Sequence, residues 1–221
     1  MKLSKETLSI IKNFSSINGN LYITPGNVLY TISPSKFIYA EAKIAETFDA
    51  PFGIYDLSEL LSIHAIFGDP ELEFDGNTLY ISEGKLRVRF QSAEQKMLIY
   101  PKSPNAFPSD PDVSFQMPTA MLQQVIRSAS ILKAPFVSIV GDGSKFSIVV
   151  TDKENVNGNS LQIEIGDTEH VFNINMKAEL FKMMPEDYTV CISGKRKACK
   201  LEGHNKMYML AWETDSTFTV V

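Results

Sequence analysis

Prolines crowded into one short stretch constrain the fold of this chain more than any other feature. Between Tyr100 and Pro118 no regular alternation of polar and apolar residues is present, and five prolines interrupt the segment: Pro101, Pro104, Pro108, Pro111 and Pro118. Proline has no backbone N–H and a fixed φ, so it is excluded from helix interiors and central strands. We therefore expect a stiff, extended connector over residues 100–118, joining a domain of residues 1–108 to a domain of residues 109–221.

The sequence on both sides of the connector is mostly of the strand-forming type. Short runs rich in β-branched and aromatic residues are bounded by turn dipeptides such as Asp75-Gly76, Glu83-Gly84 and Asp142-Gly143. The predicted strands include residues 20–24, 28–33, 36–42, 71–74, 78–82, 188–192 and 198–201. Because the helical segments are few, the pattern predicts an α+β fold in which helices lie on antiparallel sheet.

Four segments have the apolar spacing of amphipathic helices, two in each half of the chain. They are residues 1–14, with Ser4 as the candidate N-cap, and residues 56–67, 119–132 and 176–184, the last stopped by Pro185. The order of elements is similar in the two halves, although their sequences share little identity. The sequence thus predicts two similar domains, each with two helices on antiparallel sheet.

The first helix carries positive charge on a chain that is acidic as a whole. The chain of 221 residues has a formal net charge of −5, which argues against non-specific nucleic-acid binding over its entire surface. On the first helix, however, Lys5 and Lys12 alternate with Ser9 and Ser16 on the face opposite the apolar residues. This arrangement favours loose contact between one local face and a polyanion.

Residue patterns that would support catalysis or metal binding are missing from the sequence. His64, His170 and His204 are scattered, no pair of histidines has the i, i+4 spacing of a zinc site, and no carboxylate cluster for a metal or cofactor can be assembled. Cys191 and Cys199 flank a predicted turn. Free thiols are the commoner state for two such cysteines, and the sequence does not decide whether they form a disulfide. Without such patterns we do not expect an enzyme. We do not expect a membrane protein either, because no apolar run approaches the roughly 20 residues that a membrane-spanning helix needs.

Several segments resemble one known family in the same order along the chain. They are residues 1–18, Tyr39–Ala42, Ile54–Leu57, Leu122–Arg127, Phe172–Met176 and Asp215–Thr217. Together they resemble the sliding clamps of T-even-type bacteriophages, and the resemblance covers nearly the whole chain. No single motif is diagnostic, since it is the order and spacing of the motifs that make the resemblance specific.

The resemblance implies a fold, an activity and a set of partners. Such clamps have the DNA-clamp fold, with two similar domains per protomer, and assemble as homotrimers into a closed ring. The ring encircles double-stranded DNA without sequence preference and tethers the replicative DNA polymerase, after an ATP-dependent clamp loader has placed it. The clamp performs no chemistry, takes part in late transcription and acts in the cytoplasm of the infected bacterial host.

The resemblance also implies which side chains face the DNA. In such rings the helices line the hole, so the candidates are the cations on or beside the helices: Lys2, Lys5, Lys12, Arg127, Lys133, Lys177 and Lys182. Ser130 stands where the family usually has a second arginine on the third helix. The tail Thr217–Val221 also differs from the usual ending of the family.

A clamp further needs an apolar pocket near the connector to hold the short hydrophobic tail of a partner. The candidates are Phe107, Val113 and Phe115, because they are apolar residues in an irregular stretch. The alternative is that these three side chains only pin the connector to the sheet.

Two other classes of function stay open at this level. One is a β-rich structural or assembly protein whose basic helix binds a protein partner. The other is a nuclease or another DNA enzyme, which the missing metal-binding carboxylates disfavour.

Overall fold

The computed structural model describes residues 1–155 and 157–219. The chain divides between Asn105 and Ala106 into two compact units. All strand pairings within each unit are antiparallel. Of the divergent tail, residues 220 and 221 lie outside the described residues.

The first unit contains two helices and seven strands. They are α1 (Lys5–Ile17), β1 (Leu21–Ile23), β2 (Gly26–Ile32), β3 (Ile38–Phe48), β4 (Phe52–Ile54), α2 (Leu57–His64), β5 (Glu71–Asp75), β6 (Thr78–Glu83) and β7 (Leu86–Gln91). Within this unit β1 pairs with β4, β2 pairs with β3, and β5, β6 and β7 form a three-stranded sheet. Helix α1 packs on α2 and on the β2–β3 hairpin.

The part of the second unit that the structure describes contains one α-helix and nine strands. They are β8 (Val113–Met117), α3 (Thr119–Leu132), β9 (Phe136–Asp142), β10 (Lys145–Thr151), β11 (Leu161–Asp167), β12 (Val171–Lys177), β13 (Tyr188–Ser193), β14 (Ala198–Glu202), β15 (Lys206–Ala211) and β16 (Thr217–Thr219). One sheet has the order β11-β10-β9-β12-β16, and the other has the order β15-β14-β13-β8. Apolar residues of both sheets, among them Ile139, Ile148, Val190 and Leu201, meet in the interior of the unit.

The N-terminus of α1 is fixed by two separate caps. The Ser4 side chain accepts a hydrogen bond from the Thr7 N–H, as the sequence predicts. The Glu46 carboxylate, from β3, accepts hydrogen bonds from the Ser4 N–H and from the Thr7 hydroxyl. Burial disfavours the charged form of Glu46, but these hydrogen bonds together outweigh burial and lower its pKa. The helix is therefore anchored to the sheet at the end that carries Lys5.

The first and third predicted helices are present, but the first has shifted bounds: the sequence predicts residues 1–14, and the helix runs from Lys5 to Ile17. In α1 the buried residues are Thr7, Ile10, Ile11, Phe14 and Ile17. Helix α3 has the predicted bounds, and it ends where Lys133 adopts a left-handed conformation with φ 52°. Helix α2 is shorter than predicted, because it starts after its N-cap Asp56 and ends at His64.

The predicted fourth helix, residues 176–184, is wrong. Strand β12 continues through Lys177 in register with β9, and only a single 3₁₀ turn, Ala178–Leu180, follows it. The apolar spacing of Met176, Leu180 and Met183 is helical, but Met176 belongs to the buried row of a strand. Tertiary pairing has overridden the local helix propensity, so the second unit has one α-helix rather than two.

The predicted connector also contains an element that the sequence did not predict. Residues 113–117 form strand β8, which pairs with β13 at the edge of its sheet. Its burial alternates, with Val113, Phe115 and Met117 buried and the residues between them exposed. Pro111 and Pro118 flank this strand rather than interrupt it, which is compatible with their missing N–H groups.

The two cysteines are free thiols on opposite faces of one sheet. Cys191 lies opposite Lys200 in the β13–β14 ladder, whereas Cys199 lies opposite Ile192, so their side chains point in opposite directions. The Cys199 sulfur accepts a hydrogen bond from the Trp212 indole, and burial raises the pKa of the Cys199 thiol to about 12. The disulfide that the sequence left open is therefore excluded in this fold.

Strands β7 and β11 are two of the edge strands in the described part of the chain. Strand β7 pairs only with β6, and strand β11 pairs only with β10. Both carry exposed charged side chains, Arg87 and Arg89 on β7 and Glu164 and Asp167 on β11. Arg87 is paired with Glu73, and Glu164 is paired with Lys145. Unpaired edges of this kind are templates for pairing with another strand.

Candidate nucleic-acid interface

The exposed face of α1 presents unpaired positive charge. Lys5 and Lys12 are exposed, and neither forms an ion pair with any residue that the structure describes. The helix contains one acidic residue, Glu6, in its first turn. The predicted polar face is thus confirmed as a solvent-facing surface with two available ammonium groups.

The serines of this face are turned back onto the helix. The hydroxyls of Ser9, Ser15 and Ser16 donate to the carbonyls of Lys5, Lys12 and Asn13 at 2.8, 2.8 and 2.6 Å. On α2 the Ser62 hydroxyl makes the same contact with Ser58 at 2.7 Å. Their protons are therefore used inside the helices. These short side chains therefore expose only neutral hydroxyl oxygens to solvent, where they can accept hydrogen bonds.

A groove between α1 and α2 collects these side chains. Its volume is about 520 Å³, and it is lined by Leu8, Ser9, Lys12, Ser15, Ser58, Leu61, Ser62, His64 and Ala65. Burial lowers the pKa of His64, so its imidazole is neutral at neutral pH. Among the described residues that line the groove, Lys12 is then the only charged one.

Helix α3 presents a similar face with Arg127 in its centre. Gln123, Gln124, Arg127 and Ser130 are exposed, and α3 contains no acidic residue. At its C-terminal end, Lys133 and Lys177 lie on a second cleft of about 410 Å³, together with Ser130 and Glu179. The structure thus brings Lys133 and Lys177 together beside Ser130.

The two remaining cationic candidates have different surroundings. The Lys2 ammonium lies 2.5 Å from an Asp69 carboxylate oxygen, and the hydrogen bond to Asp69 raises the pKa of Lys2. Lys182 is exposed and follows the 3₁₀ turn. Lys2 is therefore partly neutralised by the protein itself, unlike Lys5 and Lys12.

Several lysines away from the α-helices are neutralised by carboxylates. The pairs are Lys145–Glu164, Lys153–Asp215, Lys200–Glu202 and Lys206–Glu186, with N–O distances of 2.5–2.9 Å. The lysines without an ion pair away from the helices lie in turns and in the connector, namely Lys36, Lys85, Lys102, Lys195 and Lys197. Among the regular elements that the structure describes, α1 and α3 thus carry Lys5, Lys12 and Arg127 without an ion pair, and Arg89 of β7, which donates a hydrogen bond to Gln91, is a further exposed cation without one.

The three candidates for a partner-peptide pocket are not brought together. Val113 and Phe115 point to the buried side of β8, where Phe115 makes an edge contact with Phe146 at 5.4 Å between ring centroids. Phe107 is half-buried, with the Lys200 ammonium 5.5 Å from its ring centroid. Since Lys200 lies opposite Cys191, Phe107 is on the other face of this sheet.

Two further observations concern the described residues only. No group of three or more His, Cys, Asp or Glu side chains among residues 1–155 and 157–219 is arranged to hold a metal ion. No helix in these ranges is long and apolar enough to cross a membrane.

Solved structures identify the class to which this fold belongs. PCNA from A. fulgidus, solved with the C-terminal region of FEN-1 bound, superposes with a TM-score of 0.72 over 98% of this chain and 100% of that one, at 12% identity. PCNA from Entamoeba histolytica gives a TM-score of 0.69 over 96% of this chain and 97% of that one, also at 12% identity. The fold is that of the PCNA-type clamps.

Sequence comparison identifies the family within that class. The family model for the DNA polymerase processivity factor matches residues 4–97. The sliding clamps of Escherichia phage RB69 and Enterobacteria phage T4 are each 30% identical to this chain, over 98% of its length and 99% of theirs. The sliding clamp of Vibrio phage KVP40 is 26% identical over 87% of this chain and 90% of its own length. This chain belongs to the phage sliding-clamp family of DNA polymerase processivity factors.

Sequence reasoning missed part of the helix surface. Ser58, Ser62 and His64 on α2 line the same groove as Lys12, although none of them was a candidate. The i, i+4 spacing of Ser58 and Ser62 is visible in the sequence and would have extended the serine-rich face to α2. The cap supplied by Glu46 left no such trace, because it joins residues 42 positions apart.

Proposed function

We propose that this clamp works as a closed homotrimeric ring around double-stranded DNA, with the exposed faces of its helices turned toward the phosphates. The observation that carries the proposal is the contrast between helices and sheets. Lys5, Lys12 and Arg127 are exposed on serine- and glutamine-rich faces and form no ion pair with any residue that the structure describes, whereas Lys145, Lys200 and Lys206 on the strands are held by carboxylates. Lys133 and Lys177 extend the same charge at the end of α3, and Lys2 and Lys182 belong to its margin.

The chemistry of these faces suits sliding. Lysine and arginine contacts to phosphates are independent of base sequence. The serines between them keep their protons inside the helix, so they add no directional donor that would hold one phosphate in place. The ring would therefore retain the duplex by enclosing it and by weak electrostatic attraction to the phosphates, rather than by a fixed set of hydrogen bonds.

The partners follow from membership of the family. The replicative polymerase and an ATP-dependent clamp loader would bind the clamp, which itself carries out no reaction, and late-transcription factors would share it as a platform. A neighbour of the same fold, PCNA, was solved with a segment of FEN-1 bound, which supports peptide docking as the mode of partner binding. Of the predicted pocket residues, Phe107 is the strongest candidate, because Val113 and Phe115 are buried. The place of action would be the cytoplasm of the infected host.

The test asks whether the protein encloses the DNA or only binds its surface. The mass in solution should be that of a trimer, and clamps placed by the cognate loader on nicked circular DNA should stay bound until the circle is cut. After linearisation they should slide off the ends. A stable monomer, or equal retention on circular and linear DNA, would reject the ring and favour a β-rich assembly protein that uses its basic helix to bind a protein partner.

A further inference from the structure

The groove between α1 and α2 has a definite order of residues along its length. The two helices run antiparallel, because the Leu57 N–H at the start of α2 donates to the Gly19 carbonyl just beyond the end of α1, at 2.8 Å. His64, the last residue of α2, therefore lies near the first turns of α1, where Leu8 lines the groove. Lys12 follows Leu8 about one helical turn further along the groove.

The His64 imidazole is neutral at neutral pH, although it is not sealed from the groove. Its side chain is half-buried and lines the groove together with Lys12. Burial lowers the pKa of His64, and the carboxylate of Asp69, in the loop after α2, opposes that shift in part. The Lys2 ammonium already lies 2.5 Å from an Asp69 carboxylate oxygen. Asp69 is thus only partly available to a protonated His64, which leaves room for an external anion.

The other charged residues on the elements around His64 do not supply that anion. They are Lys5, Glu6 and Lys12 on α1, Glu59 on α2, Glu71 on β5 and Glu83 on β6. Within this set, Lys12 is the residue that lines the groove. The Glu83 carboxylate accepts hydrogen bonds from the backbone N–H groups of Gly68 and Asp69 at 2.8 and 2.9 Å, so it is committed to the loop after α2.

The side chains of the groove suit an anion rather than a cation. No carboxylate is among the described residues that line it. Three of its four serines, Ser9, Ser15 and Ser62, donate their protons to carbonyls of their own helices. Charged donation to a molecule in the groove therefore falls to Lys12 and His64. A phosphate oxygen beside an imidazole favours its protonated form, and the hydrogen bond between them is charge-assisted.

We propose that this groove takes a backbone phosphate of the encircled duplex, and that His64 becomes a second cation beside Lys12 by taking up a proton from solvent as the phosphate enters. This site rests on the proposed function, in which the helix faces turn toward the duplex, and adds to it a contact that responds to pH. His64 would bind its proton more tightly in the complex than in the free clamp. Affinity for DNA should therefore rise as pH falls through the pKa of His64 in the complex, and level off below its pKa in the free clamp.

The pH dependence of DNA binding tests this site in the full chain. Fluorescence anisotropy of a short labelled duplex is measured at constant salt, at about pH 8 and at about pH 5.5. A difference of half a pKa unit at one His64 corresponds to about threefold in affinity, so the wild type should gain at least about threefold more than His64→Gln between the two pH values. The matched control is His204→Gln, which removes an exposed histidine from the turn between β14 and β15 and should keep the full gain. An equal gain in His64→Gln and wild type would overturn the site.

NMR titration of the imidazole signals gives a second readout in the wild-type protein, which does not depend on how His64→Gln folds. The chain has three histidines, so the His64 signal can be assigned from the variants His170→Gln and His204→Gln. We expect the duplex to raise the pKa of His64 by about half a unit or more. An unchanged His64 pKa in a clamp that is retained on nicked circular DNA would overturn the site and leave the ring standing. A wild type that is not retained on circular DNA would reject the ring, and this site with it.

Discussion

Removal of the positive charge from α1 should change how strongly DNA binding depends on salt. The variant Lys5→Gln with Lys12→Gln removes two exposed ammonium groups that have no ion-pair partner in the described part of the chain, and it leaves the buried face of the helix intact. Neither lysine contributes to the caps supplied by Ser4 and Glu46, so α1 should stay folded. Any loss of binding should therefore be electrostatic.

The size of the effect follows from the number of phosphates that the ring can neutralise. Each phosphate contact contributes about 0.9 to the slope of log K against log salt. Two lysines in each of three copies make six, so the slope should fall by at most about 5. Across a fourfold change in salt, a decrease of that size corresponds to about 10³ in relative affinity. A ring in which only some of these lysines touch phosphate at once gives a smaller decrease, but at least about 1.

The measurement is fluorescence anisotropy of a short labelled linear duplex, over which a ring can thread, titrated at salt concentrations from about 50 to 200 mM. The matched control is Lys36→Gln with Lys102→Gln, which makes the same charge change at exposed positions away from the helices, where neither lysine forms an ion pair with a residue that the structure describes. An unchanged slope for the α1 variant, or an equal decrease for the control, would refute the assignment of α1 to the DNA.

Three further predictions concern the framework that holds these surfaces. Lys206→Met should destabilise the second unit by about 3–5 kcal/mol, because it leaves the half-buried Glu186 carboxylate without the ammonium that lies 2.9 Å away. Thermal unfolding measures this loss of stability. Adding Glu186→Gln to the variant should recover part of the loss. Glu46→Gln should cost about 1 kcal/mol near neutral pH. Folding lowers the pKa of Glu46, so the stabilisation that its carboxylate gives the fold is complete above the pKa of the unfolded state and is lost as pH falls through the pKa of the folded state. Urea denaturation should therefore show the stabilities of variant and wild type converging in acid. Gly141→Ala should destabilise by about 1–3 kcal/mol, because a Cβ there would lie 2.7 Å from the Phe172 ring, whereas Gly19→Ala, with open space around its Cβ, should be nearly neutral in the same assay.

The parts of the fold that the sequence predicted are those with a strong local cause. Helix α3 was predicted with its bounds because Pro118 precedes it and its apolar stripe is regular. The turn residues Gly76, Gly84 and Gly143 all have positive φ, as the hairpin dipeptides required. In each case neighbouring residues alone determine the conformation.

The parts that were wrong depend on partners distant in sequence. Residues 176–184 have helical spacing, but pairing with β9 keeps Met176 and Lys177 in a strand. The proline-rich stretch was treated as uniform, whereas β8 fits between Pro111 and Pro118 and is stabilised by β13, about 75 residues further along.

The candidate nucleic-acid interface was also predicted only in part from the sequence. The sequence indicated which lysines belong to helices, but not which of them already have a carboxylate partner. The Lys2–Asp69 contact and the pairs on the sheets arise from tertiary structure alone. The separation of Phe107 from Val113 and Phe115 could not be predicted either, because it depends on β8 being a strand with two faces.

The inward hydrogen bonds of Ser9, Ser15, Ser16 and Ser62 have a consequence for the water around the clamp. A hydroxyl whose proton is already committed can accept from water but cannot donate to a phosphate oxygen, so a hydration layer would remain between helix and duplex. Water that bridges two polar groups can take the place of a direct hydrogen bond between them. In the proposed ring, the duplex would then move past the serines across a layer of water, and these positions would add no direct hydrogen bond that must break at each step.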